Sequence, residues 1–161
     1  MDKFKFQLYS DIHIELLQKN YIKIIPTSKY LILAGDIGKI SNDNFKEFII
    51  YCSDKWEKIF YVFGNHEFYG NRSIEHLKNK YNDFFNKFSN IILLDSKYII
   101  IDNISIYGFT CWTNPPFQST SLAKEYLNDY NNIKTRKGKL TTGYVKSLVN
   151  IETEKFNQFI S

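Results

Sequence analysis

Arginine is nearly missing from this 161-residue chain: Arg72 and Arg136 are the two it has, and the remaining positive charge is lysine. Guanidinium forks grip phosphates in pairs. Their scarcity, with no basic cluster among the lysines, leaves a nucleic-acid-binding platform weakly supported despite a formal charge of +4. Cysteine is scarce too. Cys52 and Cys111 stand far apart in no metal-binding spacing, and both are expected to be reduced, buried thiols. Three prolines and seven glycines leave no linker-like stretch, so neither an internal domain boundary nor a low-complexity segment is visible. No run approaches the roughly 18 consecutive apolar residues of a membrane span. The opening MDKFKFQLYS alternates polar and apolar residues and has no secretion-signal core. The expectation is one soluble, cytoplasmic domain over residues 1–161, with no membrane partner.

Lys, Asn, Ile, Tyr and Phe are abundant, a usage expected of an AT-rich genome. With 43% apolar residues the chain can bury a core without staples. Periodicity assigns the aromatics to that core rather than to base-stacking platforms. Phe4, Phe6 and Leu8 alternate with Lys5, Gln7 and Tyr9, which predicts a strand over 3–10 with Phe4, Phe6 and Leu8 on its buried face. YLILAGD (30–36) and IFYVFGN (59–65) are continuous apolar runs, as in strands covered on both faces. Between them Phe45, Phe48, Ile49, Cys52 and Trp56 recur at helical spacing, with Asn44 and Glu47 as the expected cap pair. That βαβ unit predicts parallel strands. A helix is expected over 72–88. NIILLD (90–95), KYIII (97–101) and ISIYGFTCW (104–112) then predict an antiparallel portion with a tight turn at Asp102-Asn103. Helices are expected over 119–131 and 142–160, the second presenting Val145, Leu148, Val149, Glu152, Phe156, Phe159 and Ile160.

Three polar clusters follow directly on predicted strand ends: Asp11-Ile12-His13, Gly35-Asp36 and Gly64-Asn65-His66-Glu67. The carboxyl ends of parallel strands line one edge of an open sheet, so residues distant in sequence meet there. Aspartate and asparagine oxygens and imidazole nitrogen are the donors that hard and borderline divalent cations take. In an extended backbone the alternation of Asp-x-His would point both side chains the same way. The third histidine, His76, reads as an exposed helix residue.

SDIHIE, LAGDIG and FGNHE resemble the first three sequence blocks of the calcineurin-like metallophosphoesterases, and IYGFTCWTN and LNDYNNIK resemble later segments of the smaller bacterial-type members. The resemblance implies an α/β fold, a calcineurin-like α/β/β/α sandwich with mixed sheets. It implies two divalent ions, of Mn, Fe, Zn or similar. Asp11 and His13 would bind one metal, Asp36 would bridge both, Asn65 would bind the second, and His66 would serve catalysis beside the phosphate. The reaction implied is hydrolysis of a phosphomonoester or phosphodiester by metal-activated water; a nuclease stays open within it. Two departures stand out. The histidines of two later family blocks are absent, so the chain is expected to lack the C-terminal strands of the family. Lys39 stands where protein phosphatases of this superfamily carry an aspartate that orients the catalytic histidine, which argues against protein-phosphatase activity. A homo-oligomer or second chain would then complete the phosphoesterase fold; the absent histidines also keep an alternative open, a degenerate or split member acting as a non-catalytic structural or binding protein.

Overall fold

The computed structural model describes residues 4–17 and 23–161. The expected strand over 3–10 begins in part outside them. A four-stranded parallel sheet in the order β1 (Phe6–Tyr9), β2 (Tyr30–Ala34), β3 (Lys58–Val62), β4 (Ile91–Leu93) forms the centre. Register pairs Gln7 with Leu31 with Ile59 with Ile91, and Leu8 with Ile32 with Phe60 with Ile92. The sheet thus has two sides of different fate.

On one side Leu31, Leu33, Ile59 and Tyr61 are fully buried, joined in one core with Phe45, Phe48, Ile49 and Cys52 of α1 (Asp43–Lys55) and Tyr81 and Phe85 of α2 (Ile74–Phe85). Burial pushes the Cys52 thiol up to about 12. The opposite side is covered by the antiparallel hairpin of β5 (Lys97–Ile101) and β6 (Ile104–Gly108), whose Ile99, Ile101 and Ile106 pack with Tyr30, Phe60 and Leu94. On the hairpin's outer surface Tyr98 and Tyr107 meet Phe159 and Phe156 of α5 (Thr142–Ile160). Helix, sheet, hairpin, helix: these are the four layers of an α/β/β/α sandwich.

Several local expectations change. Residues 91–93 join the parallel sheet beside β3, because α2 returns the chain to that edge as a crossover. Only β5 and β6 are antiparallel here, turning at Asp102 and Asn103, which both take positive φ (49° and 62°) as a tight primed turn requires. Phe6 and Leu8 are 49% and 56% exposed, while Gln7 and Tyr9 are half-buried. The physical reason is position: β1 is the outer strand, and the hairpin covers the β2–β4 side of that surface. The cap of α1 is Asn42, which accepts from the Phe45 backbone N–H at 3.1 Å, rather than Asn44. The helix expected over 119–131 breaks at Leu127, in extended conformation, into α3 (Thr120–Tyr126) and α4 (Asp129–Asn132). A short hairpin, β7 (Lys134–Thr135) with β8 (Gly138–Lys139), follows where no element was expected. Ile160, expected on the packed face of α5, is 63% exposed. Cys111 is exposed, not buried, and both cysteines are free thiols. His76 is exposed on α2, as expected. Among the described residues no helix is long and apolar enough to cross a membrane.

Candidate metal centre at the strand ends

The loops after β1, β2 and β3 leave the sheet at the same edge and are stitched together by backbone bonds. Asp11 N–H donates to the Gly35 carbonyl at 3.0 Å, His13 N–H to the Asp36 carbonyl at 2.9 Å, and Ile14 N–H to the Ile37 carbonyl at 3.0 Å. To run alongside one another, Asp11, His13 and Asp36 each take left-handed backbone conformations (φ 55°, 49° and 53°). The expectation of an extended Asp-x-His is therefore corrected: the two side chains converge through two left-handed residues. Such residues cost on the order of 1–3 kcal/mol each and cluster at functional sites.

Glycines make the close approach possible. Gly35 (φ 89°) lies against Gly64, where a Cβ on Gly35 would stand 2.7 Å from the Gly64 nitrogen. A Cβ on Gly64 would drive into the Asp36 carboxylate and stand 2.6 Å from its backbone nitrogen. The two turns are packed back to back, and alanine at either one opens the site.

Asp11, His13 and Asp36 offer ligand atoms that all lie within 4.8 Å of one another. His13 Nε2 faces Asp36 Oδ2 at 4.0 Å, and on its other side Nδ1 faces Glu15 Oε1 at 3.7 Å. Among the described residues His13 Nδ1 and Glu15 Oε2 are buried without a hydrogen-bond partner. A carboxylate behind a ligating histidine is a recurrent arrangement at metal sites. Glu15 also groups with His13 and His66 within the same 4.8 Å span. The SDIHIE motif gives Glu15 no role by resemblance. Its signal was the alternation Asp11, His13, Glu15, three donors at every second position.

Asp36 Oδ1 accepts from the backbone N–H of His66 at 2.9 Å. The His66 ring lies between two others, stacked on Tyr69 (centroids 4.1 Å, planes 22° apart) and edge-on to His13 (4.6 Å). Asn65, on the same turn, donates from Nδ2 to Asp129 Oδ1 at 2.6 Å. All five residues expected at the site, Asp11, His13, Asp36, Asn65 and His66, thus come together at one edge.

Glu67 lies beneath them, 2% exposed. Its Oε1 accepts from Ile37 N–H at 2.8 Å and Tyr61 O–H at 2.8 Å, and its Oε2 from Asp36 N–H at 3.0 Å and Gly64 N–H at 2.8 Å. One carboxylate therefore ties the Gly-Asp turn to the Gly-Asn turn. Burial pushes its pKa up from the usual carboxylate range, against the opposing pull of the Ile37 N–H and the Tyr61 hydroxyl. The same burial, then the nearby Glu67 charge, holds the Tyr61 hydroxyl well above the usual tyrosine value. A cleft of about 770 Å³ opens from Asp11, Asp36 and Asn65 toward Tyr107, Trp112 and Tyr126.

Carboxylates, an amide and imidazoles gathered at the ends of parallel strands in an α/β/β/α sandwich define a class, the hydrolases that hold metal ions at a sheet edge. Over residues 4–156 the chain matches the calcineurin-like phosphoesterases, and it belongs to that family of hydrolases. Divalent metal ions are the family's normal cofactors, and the Asp11, His13 and Asp36 group is of the kind that holds one. An uncharacterised protein of Acanthamoeba polyphaga mimivirus is 33% identical over 132 residues, which are 80% of this chain and 46% of that protein. The crystal structure of phosphopantetheinyl hydrolase (PptH) from Mycobacterium tuberculosis superposes with a TM-score of 0.66 at 16% identity, over 95% of this chain and 63% of that one. The chain has the calcineurin-like fold and spans about half the length of that viral relative.

Proposed function

We propose that this chain is a metal-dependent phosphoesterase acting on a phosphomonoester or phosphodiester. Asp11 and His13 would hold one divalent ion, Asp36 would serve both, Asn65 would serve the second, and His66 would be the catalytic side chain. The observation that carries this reading is the convergence of the Asp11, His13 and Asp36 donors within 4.8 Å, with the Glu15 carboxylate 3.7 Å behind His13 Nδ1. Ligands held at about 2.0–2.4 Å from one ion stand at most about 4–5 Å apart, and the set fits that limit. The mixture of carboxylate, amide and imidazole suits Mn²⁺, Fe²⁺ or Zn²⁺.

When bound, such ions activate a water and clamp phosphoryl oxygens. The chain's own contribution is placement. His66, bracketed by His13 and Tyr69, is held where an imidazole N–H can meet a phosphoryl or leaving oxygen. The aromatic wall of Tyr107, Trp112 and Tyr126 along the cleft offers a surface to the organic part of an ester. Chain freed of metal by chelator and reloaded with Mn²⁺ is expected to hydrolyse p-nitrophenyl phosphate or bis(p-nitrophenyl) phosphate, and to stop in EDTA. No turnover on either ester with Mn²⁺, Fe²⁺ or Zn²⁺ would overturn the proposal.

A second, non-catalytic reading has one observation in its favour, the exposure of Phe6 and Leu8 on the outer strand (49% and 56%). Edge strands with apolar side chains invite pairing with another chain. That reading predicts an oligomer that survives chelator. A monomer by sedimentation, at all concentrations, removes it.

A further inference from the structure

We propose that Asp129 is a positioning residue for the half of the site built on Asn65 and His66. Its purpose rests on the phosphoesterase reading above, while its contacts stand on geometry alone. Asp129 Oδ1 accepts two short hydrogen bonds, from Asn65 Nδ2 at 2.6 Å and from the Tyr69 hydroxyl at 2.6 Å. The Tyr69 hydroxyl is also 3.4 Å from Asn65 Nδ2. Burial, then the hydrogen bond and charge of Asp129, raises the Tyr69 hydroxyl well above its usual value. Asp129 belongs to α4, 64 residues away in sequence, and reaches the site because its segment is laid against the turn after β3. Gly70 N–H donates to the Asn132 carbonyl at 2.8 Å, and Tyr69 and Ser73 bridge to Ile133 and Lys134.

The chemistry of an amide makes this contact decisive. An asparagine side chain presents an oxygen at one end and an NH₂ at the other, and rotation by half a turn exchanges them. Divalent cations take the oxygen. A carboxylate accepts only, so Asp129 fixes the NH₂ end on itself and leaves Oδ1 as the end turned away from it. Asparagine at position 129 could satisfy either orientation and would lose that selection. The second bond acts on the catalytic side chain: Tyr69, held by Asp129, is the ring on which His66 stacks at 4.1 Å. One carboxylate therefore orients both a metal-facing amide and the imidazole beside it.

The test separates orientation from mere folding. In metal-free protein the Asn65 side-chain NH₂ resonances, assigned by their loss in Asn65→Ala, are expected to be dispersed and protected from solvent exchange. In Asp129→Ala they should move to free-amide positions and exchange at least about tenfold faster, with Asp129→Asn intermediate. With Mn²⁺, the wild type should take two ions. Asp129→Ala should weaken the second by about 10–100-fold, the usual cost of losing a ligand's supporting partner, and leave the first within about threefold. A merely structural Asp129 would lower both affinities with the melting temperature. Unchanged Asn65 resonances in Asp129→Ala overturn the inference whether or not metal binds. Freed resonances with an unweakened second ion overturn its purpose. A wild type that binds no ion instead overturns the phosphoesterase reading, and the resonances still decide the contact. Should Asp129→Ala fail to fold, the near-isosteric Asp129→Asn carries the same readouts.

Discussion

Asp36→Asn is expected to lower Mn²⁺-dependent turnover roughly a thousandfold, the several kcal/mol of transition-state stabilisation that a bound metal supplies, with the fold intact. Asp36 is the residue that faces both halves of the site. Its Oδ2 looks toward His13 at 4.0 Å, and its Oδ1 accepts from the His66 backbone N–H at 2.9 Å, on the turn that carries Asn65. Asparagine keeps an oxygen for the His66 N–H, so the turn is not released. It loses the negative charge and presents NH₂ to one of the two directions. Both proposed ions share this carboxylate, so both should be lost or weakened together. Elemental analysis beside the rate distinguishes the cases. Two ions and an unchanged rate in Asp36→Asn would move the chemistry away from these strand ends.

The main features of the site were legible because its parts lie in short, local patterns. The apolar runs of β2 and β3 announce buried parallel strands, and polar residues placed directly after them fall at the ligand-bearing edge by topology alone. What was not legible depends on which layer lies on which face. Phe6 and Leu8 alternate as a buried pair would, yet no residue pattern within 3–10 tells that the hairpin covers the neighbouring strands and not theirs. Residues 91–93 look the same whether they pair with β3 or with β5. Asn42 and Asn44 are equally plausible caps until the Phe45 N–H is placed. Two kinds of site residue escaped: Asp129 closes on Asn65 from a distant segment whose helix breaks at Leu127, while Glu15 and Glu67 lie inside the motifs but turn inward. Left-handed conformations at Asp11, His13 and Asp36 leave only a faint compositional trace: Asp and His enter that region more often than other non-glycine residues, but many more of them do not, so residue type alone does not mark these three.

Glu67→Ala should cost several kcal/mol of stability, since it removes the acceptor of four buried donors at about 1–3 kcal/mol each, and abolish metal binding with it. The carboxylate is 2% exposed and accepts from Asp36 N–H, Ile37 N–H, Gly64 N–H and the Tyr61 hydroxyl. Alanine leaves all four donors without that acceptor, at about 1–3 kcal/mol for each that finds no substitute. A domain of this size is stable by about 5–15 kcal/mol, so the loss is a large share of the total. Volume alone would cost less, and Glu67→Gln separates the two effects. Glutamine fills the same space but points an NH₂ at two of the four donors, so it should recover little of the loss. Aspartate, one methylene shorter, keeps both oxygens and cannot reach both turns at once. If the network is the anchor, glutamine and aspartate both melt well below the wild type. Chemical denaturation of the three variants, beside Mn²⁺ titration, checks it. Unfolding free energies within about 1 kcal/mol of the wild type would mean that Gly35-Asp36 and Gly64-Asn65 are held by their back-to-back glycine packing alone. The strain of the left-handed Asp36 would then have to be sustained by the sheet, since Glu67 is the side chain that grips its backbone nitrogen.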